Sequence, residues 1–450
     1  MVMSEEKKSI KGGEFIIKEA KVEDIFIAEN WAEEEIMMRD TCYDFLEAEI
    51  YPDLDRIDKM EEGLMPSKLD KAGALGLLGV SIPEEYGGFG KNFNSSLLIN
   101  EATGSGHSFA VALSAHTGIG TLPILYYGNK EQKEKYLPDL SSGAKKACYC
   151  LTEPGSGSDA NSGKTKAVLN EEGSHYILNG QKMWITNGGF ADIFIVFAKV
   201  ADDANLSAFI VEKDFGGITL NPEEEKMGIK GSSTRQVFFN DVKVPKENFL
   251  GEREGGFKIA LNILNIGRIK LGAAALGAMK RTTTQAISYA NEREQFSRPI
   301  SQFDMIKKKF ANMVTRTWEG DTVNYMTCGS IDLEISKLDK NDDDYYLHVQ
   351  KVIEDHAIEA SICKIVGSET LAYVVDESVQ VLGGAGFIEE YGMASVYRDE
   401  RINRIFEGTN EINRLLISGI LLKKSILEEL PIRDVIFKRS QNMIPDVGQT

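Results

Sequence analysis

Apolar residues recur at helical intervals through the first third of the chain, at alternate positions through the middle third, and at helical intervals again afterwards. In the first part Trp31, Ile36, Phe45 and Ile50 mark a helix over 30–50, ahead of Pro52. Further helical patterns cover 66–78, 95–104, 109–125 and, behind the capping residue Asn129, 130–137. The period changes to two at 146–152, a strand. Segments 175–178 and 181–185 flank Asn179-Gly180 and read as a tight hairpin, because Asn-Gly suits a two-residue turn. Strand-like runs follow at 193–200, 206–211 and 236–244. Long, proline-poor helical patterns then occupy 257–291, 302–330 and 350–382, with another after Glu407. The pattern predicts an α+β protein, mostly α: an N-terminal helical domain (1–146), an antiparallel β middle domain (147–254), a C-terminal four-helix bundle (255–425) and a tail (426–450).

Two stretches modify this outline. Gly272, Ala273, Ala274, Ala275, Gly277 and Ala278 leave little bulk on the first bundle helix, so a neighbouring element or a ligand can approach closely. The Asp-rich run 337–344 is a solvated loop between helices. With 450 residues, 42% of them hydrophobic, the chain can fill two or three cores. Its formal charge of −18 argues against a nucleic-acid or anionic-membrane surface. No run is expected to span a bilayer, the best candidate being Ile193 to Ala198. The first residues, with Glu5, Glu6, Lys7 and Lys8, resemble neither a secretory signal nor a transit peptide, which points to the cytoplasm, or to a mitochondrial matrix only if a targeting segment is missing. Cys42, Cys148, Cys150, Cys328 and Cys363 are scattered and suit reduced thiols; Cys148 and Cys150 share one strand face and read as packing. The five histidines show no metal-ligand spacing, so no metal is expected, and there is no Gly-x-Ser-x-Gly elbow.

Four motifs could carry chemistry. Gly155-Ser156-Gly157-Ser158-Asp159-Ala160 has the spacing of a dinucleotide fingerprint but a β context, leaving a glycine-rich loop whose Thr152, Ser156 and Ser158 hydroxyls are free for a ligand. Trp184-Ile185-Thr186 ends a strand with an indole and a hydroxyl suited to covering a flat ring. Gly383-Gly384-Ala385-Gly386 ends a helix. Glu407 lies in a helix-to-helix joint: Gly408 breaks the pattern, Thr409 or Asn410 caps the next helix, and Ile412, Leu415 and Leu416 give that helix an apolar face. Read alone, Glu407 is more simply a carboxylate favoured by the positive end of that helix.

Taken in order, Tyr149-Cys150-Leu151-Thr152-Glu153-Pro154-Gly155-Ser156-Gly157-Ser158-Asp159, Trp184-Ile185-Thr186-Asn187-Gly188, Arg293-Glu294-Gln295-Phe296, Gln380-Val381-Leu382-Gly383-Gly384-Ala385-Gly386-Phe387 and Ile405-Phe406-Glu407-Gly408-Thr409-Asn410 resemble the acyl-CoA dehydrogenase family, over about 29–424. The likeness is closest to the very-long-chain members. It implies FAD as cofactor, an acyl-CoA thioester as substrate, an electron-transferring flavoprotein as acceptor, and a homodimer or homotetramer. By the same resemblance Leu151, Thr152, Ser158, Trp184, Thr186 and Thr409 contact the flavin, while Arg293, Phe296, Gln380, Gly383 and Gly384 reach the adenosine diphosphate part of FAD in a neighbouring subunit. Glu407 matches the base that removes the substrate α-proton, with a carboxyl pKa raised by a dry site. Ser158, Asn265, Arg268, Ala115, Phe406 and Gly408 match substrate-contacting positions. Some relatives carry the base at the position of Gly267, where this chain has no side chain. Medium-chain relatives block the acyl pocket with a glutamate near Ala115, so alanine implies a deeper pocket. Asp304 replaces a glutamine common near the neighbouring subunit's FAD. The resemblance also leaves two other readings open: an acyl-CoA oxidase using oxygen, and a non-catalytic flavin-binding assembly factor, which would be expected to lack the base.

Overall fold

The first principal helix, α1 (Glu33–Phe45), continues through the π-helical turn Leu46–Ile50 before Pro52 redirects the chain. The computed structural model describes residues 8–443. Helices α2 (Leu64–Ala74), α3 (Phe93–Thr103), α4 (Ser108–Ser114), α5 (Leu122–Tyr127) and α6 (Lys130–Ser142) complete the N-terminal part. Asn92 and Asn129 cap α3 and α6 by accepting the N–H groups of Ser95 and Gln132 at 2.9 and 2.8 Å. The single helix expected over 109–125 is instead interrupted: α4 passes into a π-helical turn, Ala115–Gly120, before α5 starts. Such wide turns gather at functional sites. Here the turn carries Ala115 and Gly118 into the wall of a cavity.

The middle part is a sheet of β1 (Ala147–Cys150), β2 (Lys166–Leu169), β3 (His175–Thr186), β4 (Ile193–Val200), β5 (Ser207–Glu212), β6 (Ile218–Leu220), β7 (Thr234–Pro245) and β8 (Phe249–Leu250), in the order β6-β7-β3-β2-β4-β5-β8 with β1 also on β4. Most pairs are antiparallel, as expected, while β1 and β2 run parallel to β4. β4 is covered on both faces: Ile193, Ile195 and Phe197 meet helices, and Phe194, Val196 and Ala198 pack within the sheet layer. That double burial makes its sequence continuously apolar.

The expected hairpin at Asn179-Gly180 does not form. β3 runs straight through it, and the turn joining β2 to β3 uses Asn170 and Gly173, with Asn170 Oδ1 accepting the Ser174 N–H at 2.9 Å. Asn179 instead exchanges hydrogen bonds with Asp241, an extra residue in β7, at 2.9 Å each way. A Cβ at Gly180 would meet the Thr165 hydroxyl at 2.4 Å, so glycine is needed here for close approach and not for a turn.

The C-terminal part contains α7 (Gly256–Glu292), α8 (Asp304–Ile335), α9 (Tyr345–Asp355), α10 (Ala357–Leu382), α11 (Met393–Glu400), α12 (Asn410–Ile426) and α13 (Ile432–Met443). The pattern over 350–382 is thus two helices, broken at His356, whose Nδ1 pairs with the Val352 carbonyl. The small residues of α7 serve both roles open to them. Gly272 and Gly277 bring it against Cys363 and Glu101, while Ala274, Ala275 and Ala278 face the cavity. Two helical stretches, Ser108–Tyr127 and Gly256–Glu292, are long and apolar enough to cross a membrane, contrary to the expectation that none is, but 78% of each apolar window is buried in the fold. Burial inside the protein accounts for that hydrophobicity.

Candidate active site

One wall of the cavity begins as an irregularity in β3. Between Lys182 and Ile185 the pairing with β7 slips by a residue, and Trp184 takes φ 58°. Such a bulge re-aims a side chain. The indole leaves the sheet and stays 60% exposed on the cavity wall beside Thr186. The freed Met183 N–H donates to the Thr152 carbonyl at 2.9 Å, which ties the bulge to the glycine-rich loop. That loop is anchored from below: the Lys182 ammonium, fully buried, pairs with Glu153 at 2.7 Å and donates to the Leu151 carbonyl at 3.1 Å. Glu153 also accepts the N–H groups of Lys164 and Thr165. Leu151, Thr152 and Ser158 therefore reach the cavity. Ser156 does not, since its hydroxyl turns inward to the Asp159 and Ala160 carbonyls.

The opposite wall carries Glu407. Its backbone and that of Gly408 have φ 57° and 79°, a left-handed pair that costs a non-glycine residue on the order of 1–3 kcal/mol unless its surroundings enforce it. They do so. Arg268 Nε donates to the Glu407 carbonyl at 3.1 Å, and Lys364 Nζ and Asn413 Nδ2 donate to the Gly408 carbonyl at 2.9 and 2.8 Å. Thr409 caps α12 through its hydroxyl, which accepts the Ile412 N–H. Glu407 as a residue is half-buried, but its Oε2 is shielded from solvent and has no hydrogen-bond partner among the described residues. Burial pushes this carboxyl up to about 7, against the opposing pull of Arg268 and Lys364. A Cβ at Gly267 would sit 3.0 Å from Oε2, so the bare helix face leaves the carboxylate its room.

These walls enclose a cavity of about 510 Å³ that also takes in Ala115, Phe406, Gly408 and Arg268. Asn265 is different: it is buried behind Arg268 and accepts from Nη1 at 2.8 Å, so it orients the guanidinium and does not line the cavity. Thr409 is not on the wall either, its hydroxyl being used as a cap. Arg293, Phe296, Gln380, Gly383 and Gly384 are exposed, away from this cavity; the cluster of Ala290, Ile300, Val381 and Leu382 joins the segments that bear them at one end of the bundle. Among the described residues no group of three His, Cys, Asp or Glu could hold a metal.

Sequence reasoning missed Lys364 and Tyr149. Lys364 is buried, bonded to Asn410 Oδ1 at 2.6 Å, and burial brings it down to about 8. A lysine in an apolar helical run was its one visible signal. Tyr149 lines the cavity, and its hydroxyl is buried without a partner among the described residues.

Family models described as "Acyl-CoA dehydrogenase, N-terminal domain", "middle domain" and "C-terminal domain" match residues 32–144, 148–242 and 254–422. A "Probable acyl-CoA dehydrogenase" of Bacillus subtilis (strain 168) is 48% identical, over 96% of this chain and 72% of its own length. The "Very long-chain specific acyl-CoA dehydrogenase, mitochondrial" of Macaca fascicularis is 46% identical over 76% of this chain, and the match spans about half, 51%, of that relative. The crystal structure of an acyl-CoA dehydrogenase complexed with FAD from Bacillus anthracis superposes with a TM-score of 0.94 at 48% identity, covering 98% of this chain and 76% of that one. The chain belongs to the acyl-CoA dehydrogenase family of oxidoreductases.

Proposed function

We propose that the protein is an FAD-dependent acyl-CoA dehydrogenase that converts long-chain saturated acyl-CoA to the trans-2-enoyl thioester and passes the electrons to an electron-transferring flavoprotein. The observation that carries this reading is the Glu407 carboxyl: buried, unbonded at Oε2, poised near neutrality and facing the cavity. The residues opposite it fit a flavin, because an indole left 60% exposed and the hydroxyls of Thr152, Ser158 and Thr186 give a flat apolar cover edged with hydrogen-bonding groups. Leu151, Thr152, Ser158, Trp184 and Thr186 would hold the ring. Arg293, Phe296, Gln380, Gly383 and Gly384, clustered and exposed at the far end of the bundle, would serve the cofactor of a second copy. When bound, FAD supplies the acceptor for the hydride that leaves the β-carbon.

Glu407 takes the α-proton. In water a carboxylate is a weak base for a C–H bond, and burial that lifts its pKa to about 7 makes it stronger while leaving much of it ionised at neutral pH. Arg268 and Lys364 limit that lift, and through the two carbonyls they hold they fix the left-handed turn that aims the carboxylate. The backbone N–H of Glu407 would polarise the thioester carbonyl as enolate charge develops. The test is anaerobic mixing with palmitoyl-CoA: the flavin of the wild type bleaches and that of Glu407→Gln does not. Bleaching retained in the variant refutes the assignment of the base.

A further inference from the structure

Lys270 follows Gly267 on the same face of α7, about 4.5 Å further along the axis for three residues at about 1.5 Å each. It lines the cavity and is only 7% exposed. Its Cδ comes within 3.8 Å of where a Cβ of Gly118 would lie, so the side chain runs along the π-helical turn that also presents Ala115. Among the described residues no hydrogen bond or ion pair reaches its amine; burial pushes it down to about 8, and no neighbouring charge contributes.

Among the described residues no acid on the cavity wall pairs with Lys270. Asp399 pairs with His107 at 2.9 Å, Glu400 with Arg404 at 3.0 Å, and Glu407 is flanked by Arg268 and Lys364. Behind Lys270 lies a second hollow bounded by Ser81, Ser96, Asn100 and Thr117, of about 10 Å³, room for one water at most. A lysine is almost never fully buried without a partner, and an aliphatic residue would close this wall without the several kcal/mol that desolvating an ammonium costs. Lys270 also lines the main cavity, so a molecule that fills it can supply the counter-charge the protein does not.

We propose that Lys270 is a specificity residue that pairs with a carboxylate carried on the acyl chain, so that the cavity takes ω-carboxyacyl-CoA thioesters as well as methyl-terminated ones. The inference rests on the dehydrogenase reading, in which the wall formed by Ala115, Gly118 and α7 encloses the acyl chain. An apolar tunnel would reject a carboxylate. An ammonium set in an apolar wall with no protein partner offers a charge-assisted hydrogen bond and sets the one chain length at which the two groups meet.

The experiment uses the FAD-loaded protein with two matched chain-length series, methyl-terminated and ω-carboxylated, reading dissociation constants and kcat/KM separately. At one or more lengths the wild type is expected to bind and turn over the carboxylated thioester within about tenfold of its methyl-terminated counterpart, and Lys270→Met to lower the ratio of the two kcat/KM values about tenfold or more. An unchanged ratio in a folded, flavin-loaded variant overturns the proposal. So does a wild type that binds every carboxylated member about a thousandfold more weakly than its counterpart, a comparison that needs no variant. A wild type whose flavin bleaches with neither series refutes the dehydrogenase reading instead, while the ratio of dissociation constants still decides the role of Lys270.

Discussion

Gly267 on α7 and Glu407 in the joint before α12 face each other so closely that a Cβ on the glycine would stand 3.0, 3.1 and 3.2 Å from Oε2, Cδ and Oε1 of the carboxylate. The two positions share one space, and this chain fills it from the Glu407 side. Contacts of that length are tighter than a methyl group tolerates, so Gly267→Ala is expected to displace the carboxylate with little effect on folding. A displacement of a few tenths of an ångström to one ångström costs up to about a hundredfold in rate. Flavin bleaching under anaerobic single turnover should slow by about ten- to a hundredfold, with flavin content unchanged.

The pH dependence of the same step follows from the Glu407 carboxyl at about 7. A base acts only when ionised, so kcat/KM should rise with pH through about 7 and level off above it. Lys364 and Arg268 both stabilise the carboxylate, so removing one positive charge raises the pKa further. Lys364→Met is therefore expected to move the acidic limb upward by about one unit, leaving several-fold less activity at neutral pH and recovering much of it at alkaline pH. A pH–rate profile that falls evenly at all pH would show that Lys364 acts only by packing.

Glu153 holds the glycine-rich loop on the cavity wall through the fully buried Lys182. Deleting one partner of such a pair strands a charge, which costs about 3–5 kcal/mol. Glu153→Ala should lose stability of that order in urea unfolding and release FAD more readily. Replacing both residues by apolar ones should cost less than Glu153→Ala alone, because no buried charge is then left unpaired.

Ala115 lines the cavity from the π-helical turn. A glutamate there would place a long, charged side chain across the cavity proposed to hold the acyl chain, so Ala115→Glu should shorten the preferred chain. The kcat/KM ratio of palmitoyl-CoA to octanoyl-CoA is expected to fall by about tenfold or more, since each buried methylene carries about 0.8 kcal/mol. An unchanged chain-length profile would place the acyl chain elsewhere.

Much of this protein is legible in the amino-acid order alone. The change of hydrophobic period near Cys148 and again near Gly256 marks the shift from helices to sheet and back, because period 3.6 and period 2 are local properties of the backbone. The cap at Asn129 and the joint at Gly408-Thr409 are equally local, and they stand as read. Asn179-Gly180 was misleading because a turn preference of a few tenths of a kcal/mol to about one yields to the pairing of a 12-residue strand with β7. The bulge that turns Trp184 outward depends on where β7 lies, and no local signal marks it. The same holds for the ionisable groups. Sequence places Glu407 beside a glycine, but its pKa, its unbonded oxygen, the unpartnered burial of Lys270 and the hydrogen-bonded burial of Lys364 come from residues distant in the chain and from helices folded over them. Sequence determined the elements and the residues available for chemistry; the tertiary structure decided which of them are dry, which are paired, and which face one another, because desolvation and charge act through space.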